Sequence, residues 1–389
     1  MTPEARVTTA AELLDQILTG EAAEKVLTGW ARKSRFAGSK DRAAIRDHVF
    51  EALRCKRSFA SYGGSLTGRG LMIGMLRAEG RDPEAVFTGV GHAGAQLSEA
   101  ELAGGTPPEG AALLDLPDWL MPALTESLGE NLTQVAETMR SRAPVMLRVN
   151  MRKADRSEAI DVLTSDNVVA VPAEVSDTAL LVTEGPRRVA GSVAYLDGLV
   201  ELQDGASQAV VDRLPLQDGM RVLDYCAGGG GKTLAMAGRV QAKFSAFDAF
   251  PQRLKDLPDR ADRAGVRVEI LDPDDLEQAT PFDLVLCDAP CSGSGAWRRS
   301  PEGKWALSSE RLAELNAIQD EILDTAQAFV APDGVLAYAT CSVLRAENDA
   351  RLEAFVQRHP EWTVQWSHRW LPGSEGDGFF AACLTRAQK

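Results

Sequence analysis

Two cysteines, Cys291 and Cys341, carry the clearest chemical signal in the chain. The first lies in the sequence Asp-Ala-Pro-Cys-Ser-Gly-Ser-Gly (residues 288–295), and the second lies in Tyr-Ala-Thr-Cys-Ser (residues 338–342). A single cysteine after a strand usually belongs to the core, but both of these are flanked by small or hydroxylated residues. A thiolate is a strong nucleophile, and a polar, partly exposed loop favours its formation. The two motifs therefore indicate cysteine chemistry more than packing.

Two strands must position these thiols. Each cysteine follows a short apolar run, residues 283–287 before the first and residues 334–337 before the second, which predicts a buried strand. In an open α/β sheet, ligands bind beyond the carboxyl ends of the strands. We therefore expect both thiols at the edge of the sheet where a substrate would lie.

A glycine-rich loop follows another predicted strand, residues 221–226. The loop reads Ala-Gly-Gly-Gly-Gly-Lys-Thr (residues 227–233) and leads into a helical segment. Glycines permit a sharp turn and a close approach to a ligand, and the helix N-terminus supplies free N–H groups. A nucleoside triphosphatase is one interpretation, but its phosphate-binding motif requires glycine where this chain has Cys226.

Acidic residues stand at the ends of three successive predicted strands. Asp224 ends the first strand, Asp248 follows the second and Asp272 follows the third. An aspartate at the second strand can accept hydrogen bonds from ribose hydroxyls, and Asp272 lies where an adenine amino group could be read. Turn chemistry also explains Asp272. The set favours an adenosine-containing cofactor, in an arrangement typical of methyltransferases.

The composition is that of an ordinary soluble protein, for which the cytoplasm is the expected compartment. The chain has 389 residues, 44% of them hydrophobic, without a signal-like start or an apolar run of the roughly 20 residues that cross a bilayer. Six scattered cysteines do not make a disulfide scaffold, and the four histidines form no ligand pair with them. We therefore expect no membrane segment and no metal, and nothing requires more than a monomer.

Basic residues cluster in a chain whose formal net charge is −14. One cluster spans residues 32–57, and two smaller ones lie further along the chain. Their members are Arg140, Arg142, Arg148, Arg152, Lys153 and Arg156, and then Arg298, Arg299 and Lys304. A single cluster is as consistent with a solvated surface. Three of them in an acidic protein make a phosphate-bearing partner plausible.

The periodicity of the sequence divides the chain into three parts. Residues 1–140 show helical spacing, as in residues 10–18 and 41–53, and predict an all-helical domain. Residues 141–204 contain four β-like runs and one helical segment, which predict a small α/β module. Residues 205–389 alternate strands and helices, which predicts βαβ units and a mostly parallel sheet.

The two cysteine motifs resemble those of RNA cytosine-5 methyltransferases of the Sun/Fmu/NOP group. The first motif continues as Arg-Arg-Ser-Pro-Glu-Gly-Lys-Trp (residues 298–305), the second continues to Glu347 and Asn348, and the likeness extends from residue 147 to residue 381. The N-terminal part is similar to the NusB-like domain of bacterial 16S ribosomal RNA members, mainly at Ser-Lys-Asp-Arg (residues 39–42). That similarity implies that the basic stretch 32–57 contacts ribosomal RNA.

The resemblance implies a Rossmann-like class I methyltransferase domain, mostly parallel with the last strand antiparallel, that uses S-adenosyl-L-methionine. Its implied reaction is methylation of cytosine carbon 5, with 16S ribosomal RNA favoured and transfer RNA as an alternative. Cys341 would form a covalent adduct with carbon 6, and Cys291 would assist its release. Asp288 would bind the cytosine, although a turn aspartate explains it equally well, and Lys232 would contribute charge or stabilise the loop.

The implied binding sites contain further residues. The cofactor site comprises Asp224, Cys226, Ala227, Gly228, Gly229, Gly230, Gly231, Lys232, Asp248, Arg253, Asp272, Asp288 and Pro290. The RNA contacts comprise Arg148, Asn150, Arg298, Arg299 and Lys304. Trp297 and Trp305 are expected in the core, with a role in flipping the base as the alternative.

The chain departs from the family pattern in the cofactor loop. Gly228 and Gly229 stand where family members usually carry Ala-Pro, and Ser300 replaces a common histidine. The additional glycine freedom is expected to loosen the loop. An RNA-binding or ribosome-assembly factor without catalysis is therefore a second hypothesis on the same fold.

Overall fold

The computed structural model describes residues 1–387 and divides them into a helical unit and an α/β unit. The helical unit contains Met1–Thr125, Gly129–Arg142 and Trp297–Ala306. The α/β unit contains Glu126–Leu128, Ala143–Ala296 and the residues from Leu307 onward. The segment that follows the first cysteine motif thus belongs to the helical unit, although it lies far from the N-terminus in sequence.

The helical unit is built around α1, α3 and α5. Its N-terminal helices are α1 (Pro3–Leu18), α2 (Ala23–Lys33), α3 (Ser39–Arg54), α4 (Lys56–Gly63), α5 (Gly68–Ala78), α6 (Glu99–Ala103), α7 (Gly110–Leu113), α8 (Met121–Leu128, whose last three residues group with the α/β unit) and α9 (Leu132–Arg140). Thr2 caps α1 by accepting from the N–H of Ala5, and a proline follows at the first helical position. Leu14, Ile45 and Leu71 form part of a core from which solvent is excluded. The helical prediction for this region is therefore confirmed.

A four-stranded antiparallel sheet follows in the sequence. Its elements are β1 (Val145–Val149), α10 (Arg156–Ser165), β2 (Val169–Pro172), β3 (Ala179–Glu184), α11 (Val193–Leu196) and β4 (Val200–Leu202). The strand order is β2-β3-β1-β4. Leu147 and Val149 of β1 pack with Leu163 of α10 in a small apolar core. The predicted runs coincide with these strands to within one or two residues.

A seven-stranded sheet forms the centre of the α/β unit. Its elements are α12 (Gly205–Asp212), β5 (Arg221–Asp224), α13 (Gly231–Ala237), β6 (Lys243–Ala246), α14 (Leu257–Ala264), β7 (Val268–Ile270), α15 (Pro273–Gln278), β8 (Phe282–Asp288), α16 (Pro301–Ala306, which groups with the helical unit), α17 (Ser309–Ala326), β9 (Val330–Thr340), α18 (Asp349–Arg358), β10 (Trp362–Trp370) and β11 (Phe379–Arg386).

The strand order of this sheet is β10-β11-β9-β8-β5-β6-β7. Strands β5 to β9 are parallel, whereas β11 runs antiparallel to both β9 and β10. Apolar side chains cover both faces, which explains why β5 and β8 read as continuous apolar runs. The predicted mostly parallel sheet with its last strand antiparallel is confirmed. The order reverses beside β5, so the carboxyl ends of β5 and β8 adjoin the crevice where such sheets bind ligands.

Within residues 1–387, no helix combines the length and the apolar character needed to cross a membrane.

Candidate active site

The two predicted cysteines meet at the carboxyl ends of β8 and β9. The strands are parallel neighbours that pair Asp288 with Ala339, and the N–H of Gly295 donates to the carbonyl of Cys341 at 2.9 Å. The loops that follow the strands are therefore held side by side. The Sγ atoms of Cys291 and Cys341 lie 3.4 Å apart, and both residues are partly exposed. Two thiols in contact at a ligand-binding edge can both reach the same part of a bound substrate.

An ion pair lies at the same edge. Lys232, in the first turn of α13, donates from Nζ to Oδ2 of Asp288 at 2.6 Å and lies 4.9 Å from the ring centroid of Phe379. Burial alone would lower the pKa of Lys232, but the charge of Asp288, with smaller contributions from Cys341 and Asp224, raises it. The ammonium group therefore stays charged, where it can stabilise a developing anion.

The electrostatic surroundings of the two thiols differ. A hydrogen bond to Cys341, followed by burial and by the charges of Cys341 and Glu347, raises the pKa of the Cys291 thiol well above its usual value. Cys291 is therefore held in its protonated form. Cys341, in contrast, interacts with the buried cation of Lys232. This cation can stabilise negative charge that develops beside Cys341 during a reaction.

Asp248 closes the glycine loop. Its Oδ2 accepts from the N–H of Gly228 at 2.9 Å and forms an ion pair with Nη1 of Arg253 at 3.1 Å, and its Oδ1 accepts from the N–H of Phe250 at 2.9 Å. Gly228 and Gly230 have φ values of +52° and +79°, which an L side chain rarely adopts. The predicted ribose ligand thus also fixes the loop that would surround a cofactor.

Arginines occupy the space beside the two glycines that depart from the family pattern. A Cβ at Gly228 would lie 3.1 Å from Nη2 of Arg253, and a Cβ at Gly229 would lie 3.1 Å from Nη1 of Arg260. That Nη1 donates to the carbonyl of Gly229, and Arg148 donates to the carbonyl of Gly231 at 2.8 Å. These contacts restrain the loop, against the expectation that extra glycine freedom loosens it.

Asp224 is buried at the end of β5, and only one of its two carboxylate oxygens accepts a hydrogen bond. Oδ2 accepts from the hydroxyl of Thr233 at 2.7 Å, whereas Oδ1 is buried without a hydrogen-bond partner. Burial raises the pKa of Asp224 to about 7. An unpartnered carboxylate oxygen inside a protein is unfavourable, so a donor or a positive charge is expected to complete this site.

The remaining predicted cofactor residues lie at the same strand ends. Burial raises the pKa of the Cys226 thiol well above its usual value, so this cysteine is unreactive. Ala227 is buried and donates its N–H to the carbonyl of Phe247, while Pro290 is exposed. Asp272 caps α15 by accepting from the N–H of Asp275 at 2.8 Å, as turn chemistry predicted. The cap uses one of its two carboxylate oxygens.

Most of the predicted RNA contacts point into the protein. Arg148 is buried against the glycine loop, and Asn150 donates to the carbonyls of Gly198 and Ala264 at 3.1 and 2.8 Å. Arg298 and Lys304 are buried within the helical unit. These four side chains therefore have partners inside the protein, and their contact with RNA stays a prediction.

Within the helical unit, Lys304 has an interior role. Its Nζ donates to the carbonyl of Arg54 at 3.0 Å, and burial lowers its pKa to about 8. Trp297 is buried as expected, and the indole of Trp305 donates to the carbonyl of Leu53 at 2.7 Å. Arg299 alone of the five predicted RNA contacts is exposed. The basic residues of this segment were predicted from charge alone, which does not reveal their neighbours.

Sequence reasoning gave no role to Glu347, whose buried carboxylate lies between the two cysteine loops. The only signal was its place in the second motif. Among residues 1–387, no group of three or more histidine, cysteine or acidic side chains is arranged to hold a metal ion.

Comparison with known proteins identifies the family. Residues 211–385 match the family model of 16S rRNA methyltransferase RsmB/F, and residues 116–189 match the ferredoxin-like domain of RsmF/B-like methyltransferases. The crystal structure of PH0851 superposes with a TM-score of 0.79 and 24% identity, covering 99% of both chains. That likeness supports the fold.

Curated relatives share substantial sequence identity. Ribosomal RNA small subunit methyltransferase B of Citrobacter koseri is 33% identical over 332 residues, which cover 82% of this chain and 73% of the relative. The protein of the same name from Serratia proteamaculans is 34% identical over 288 residues, which cover 69% of this chain and 66% of the relative. The chain thus spans just under two thirds of the length of several relatives. The chain belongs to the 16S rRNA methyltransferase RsmB/F family.

Proposed function

We propose that this protein is an S-adenosyl-L-methionine-dependent RNA (cytosine-5)-methyltransferase that acts on 16S ribosomal RNA in the cytoplasm. The observation that carries the proposal is the contact between Cys291 and Cys341, 3.4 Å apart, beside the ion pair of Lys232 and Asp288. The names of the family and of its curated relatives support ribosomal RNA over transfer RNA as the substrate.

Cytosine requires a nucleophile before it can be methylated. Carbon 5 is a poor nucleophile, and addition of a thiolate to carbon 6 makes the ring electron-rich at carbon 5. Cys341 supplies this thiolate next to the cation of Lys232, which also stabilises the negative charge that develops on the ring. Asp288 is half-exposed beside the cysteines and accepts a hydrogen bond from the cytosine amino group.

Release of the product needs a second proton-transferring group. The proton on carbon 5 must leave while the bond between carbon 6 and Cys341 breaks. Cys291 accepts the carbon 5 proton as it gives its own proton to the departing sulfur of Cys341. The 3.4 Å contact and the raised pKa of Cys291 suit this exchange, because its thiolate binds a proton strongly.

The residues around the glycine loop fit the proposed cofactor. When bound, S-adenosyl-L-methionine supplies an electrophilic methyl group and carries both an ammonium and a sulfonium charge. The unpartnered Oδ1 of Asp224 offers an acceptor for such a cation. Asp248 retains lone pairs for a ribose hydroxyl, and Asp272 has a second oxygen for the adenine amino group. Gly228 to Gly231 allow the backbone to approach the cofactor closely.

The proposed RNA contacts lie on exposed basic side chains. Arg299 is one, and further ones surround the start of α3 in the helical unit. These are Arg32, Lys33, Arg35 and Lys40, all exposed. Charges at the surface neutralise phosphates and release counterions, whereas buried arginines do not. We propose that the helical unit binds RNA here and that the protein acts as a monomer.

The structure offers less support for a noncatalytic RNA-binding factor or a nucleoside triphosphatase. A factor without catalysis was suggested by Gly228 and Gly229, but Arg253 and Arg260 lie beside these glycines and the loop is restrained. A triphosphatase would need Lys232 for phosphates, and this side chain is committed to Asp288.

Nucleoside mass spectrometry on fractionated RNA tests the proposal. Cells lacking the gene should lose 5-methylcytidine from 16S ribosomal RNA and keep it in transfer RNA. Complementation with the wild-type gene should restore the nucleoside, whereas the Cys341→Ala variant should not. Restoration by Cys341→Ala would overturn the proposed chemistry, and loss from transfer RNA alone would overturn the proposed substrate.

A further inference from the structure

A single buried carboxylate joins the two cysteine loops. We infer that Glu347 is a positioning residue that sets the contact between Cys291 and Cys341. The effect of Glu347 on catalysis rests on the proposed function. The contact between the thiols can be measured whether or not the protein is active. Glu347 touches neither thiol in a hydrogen bond, so it acts through the residues that follow them.

Glu347 accepts hydrogen bonds from both loops. Oε2 accepts from the hydroxyls of Ser292 and Ser342, each at 2.5 Å, and Oε1 accepts from the N–H of Ser292 at 2.7 Å. Ser292 directly follows Cys291, and Ser342 directly follows Cys341. Because each serine is bonded to the carboxylate, Glu347 restrains the backbone next to each thiol.

A chain of hydroxyls ends on the same carboxylate. Ser294 accepts from the N–H of Val343 at 3.0 Å, so its hydroxyl proton is available for the oxygen of Ser342, 2.8 Å away. Ser342 in turn accepts from the N–H of Leu344 and donates to Glu347. The direction of every hydroxyl in this chain is thus fixed by the negative charge at its end.

Only an acceptor without protons satisfies all of these partners. Gln319 donates from Nε2 to Oε1 of Glu347 at 3.2 Å and to the carbonyl of Pro290 at 2.9 Å, which fixes the orientation of its amide, and the N–H of Ser292 can only donate. The carboxylate is fully buried, and a buried charge is tolerated when several donors surround it. The phenol of Tyr338 fixes the residue further by donating to its carbonyl at 2.7 Å.

The negative charge also separates the roles of the thiols. Glu347 lies on the side of Cys291 and contributes to keeping this thiol protonated. Lys232 lies on the side of Cys341. The carboxylate therefore holds the two loops together and adds to the Cys341 contact and the burial that raise the pKa of Cys291.

The thiol contact can be measured without RNA or cofactor. In a glutathione redox buffer, one oxidised glutathione converts the two thiols to a disulfide and is itself reduced to two glutathione thiols. The equilibrium gives the effective concentration of one thiol at the other. The readout is the fraction of full-length protein that has lost two hydrogens by mass, and the Cys341→Ser variant gives the background from other cysteines.

We expect Glu347→Gln to lower this effective concentration at least about tenfold, because a charge-assisted network loses its only anion. Ser292→Ala and Ser342→Ala should each lower it severalfold, with little further loss when combined with Glu347→Gln. Ser58→Ala is the matched control. It removes a buried hydroxyl that donates to the carboxylate of Asp115 at 2.7 Å within the helical unit, and it should leave the effective concentration within about twofold of wild type.

The outcomes decide between positioning and general stabilisation. If Glu347→Gln lowers the melting temperature but leaves the thiol equilibrium unchanged, Glu347 is structural only and the inference is wrong. If this variant does not fold, the two serine variants provide the same measurement. Absence of methylation by the wild-type protein would overturn the proposed function and leave the thiol result interpretable. With methylation established, Glu347→Gln should reduce kcat more than it raises KM.

Discussion

Two buried lysines show how differently the two units use a positive charge. Lys232 in the α/β unit and Lys304 in the helical unit are 6% and 1% exposed. Lys232 meets the carboxylate of Asp288 at 2.6 Å, which raises its pKa. Lys304 bonds a backbone carbonyl and lies 4.5 Å from the ring centroid of Trp305, and burial lowers its pKa to about 8. The partner, and not the depth of burial, decides the direction in which the pKa of a buried lysine shifts.

The surroundings of charged groups also differ between the ends of β8 and β9 and the segment Trp297–Ala306. At the ends of β8 and β9, every charged group has an opposite charge or a set of donors, and the thiols have unlike surroundings. In the segment Trp297–Ala306, Lys304 bonds a backbone carbonyl and lies over an aromatic ring, and Glu302 accepts from the N–H of Ala23. Under the proposed function, the first region moves charge during the reaction, whereas the second holds a chain segment inside the helical unit.

Replacement of each cysteine by alanine tests the region at the ends of β8 and β9. Of the predicted effects on activity, this one is expected to be the largest. Purified Cys291→Ala should accumulate a covalent RNA adduct that survives a denaturing gel, because the thioether forms but is not released. Cys341→Ala should form none, and turnover by either variant should fall at least about 1,000-fold. An adduct in Cys341→Ala, or its absence in Cys291→Ala, would show that the roles are assigned wrongly.

The pH dependence of stability tests the second region. A folded-state pKa of about 8 for Lys304, below the ordinary lysine value of 10.5, means that the unfolded chain binds more protons between these values. Stability contributed by this site should therefore rise as pH increases from about 8 to about 10.5, by on the order of 3 kcal/mol. Denaturant titrations of wild type and Lys304→Met across this window should diverge in that direction. Parallel curves would mean that Lys304 titrates as an exposed lysine.

The two regions can be compared directly by replacing Lys232 or Lys304 with an uncharged residue. Lys232→Met should slow methyl transfer about 100-fold, because the cation that stabilises the anionic ring is lost. Lys304→Met, with the same change in a region away from the chemistry, should retain the rate within about threefold. Single-turnover transfer of a labelled methyl group measures both. Equal losses in the two variants would abolish the distinction between a chemical and a supporting lysine.

Sequence reasoning succeeded where a strand end determines position. The apolar runs placed Asp224, Asp288 and Cys341 at one edge of the sheet, because carboxyl ends of parallel strands lie together. The pairing of Lys232 with Asp288 spans 56 positions and is not visible in either motif. The bonds of Glu347 to two loops likewise arise only when β8 and β9 are aligned.

Residue type alone did not reveal where the basic side chains lie. Arg298 and Lys304 carry the charge expected of RNA contacts, but the chain from Trp297 to Ala306 folds into the helical unit and buries them. Arg148 likewise donates to the carbonyl of Gly231 in the glycine loop, and Asn150 donates to the carbonyls of Gly198 and Ala264. Charge and polarity in a sequence identify groups that need partners, without saying whether the partner is RNA or the protein itself.

The neighbouring arginines 298 and 299 provide the smallest but most selective test of this point. Arg299→Ala should weaken RNA binding about threefold and reduce the salt dependence by about one phosphate contact, with an unchanged melting temperature, because its side chain is exposed. Arg298→Ala should lower the melting temperature instead, because it leaves a gap in the interior of the helical unit. Filter binding at several salt concentrations and thermal unfolding measure both effects. If Arg298→Ala changes the salt dependence at constant stability, the buried segment must open to meet RNA, and the division between a chemical and a supporting region would fail at this residue.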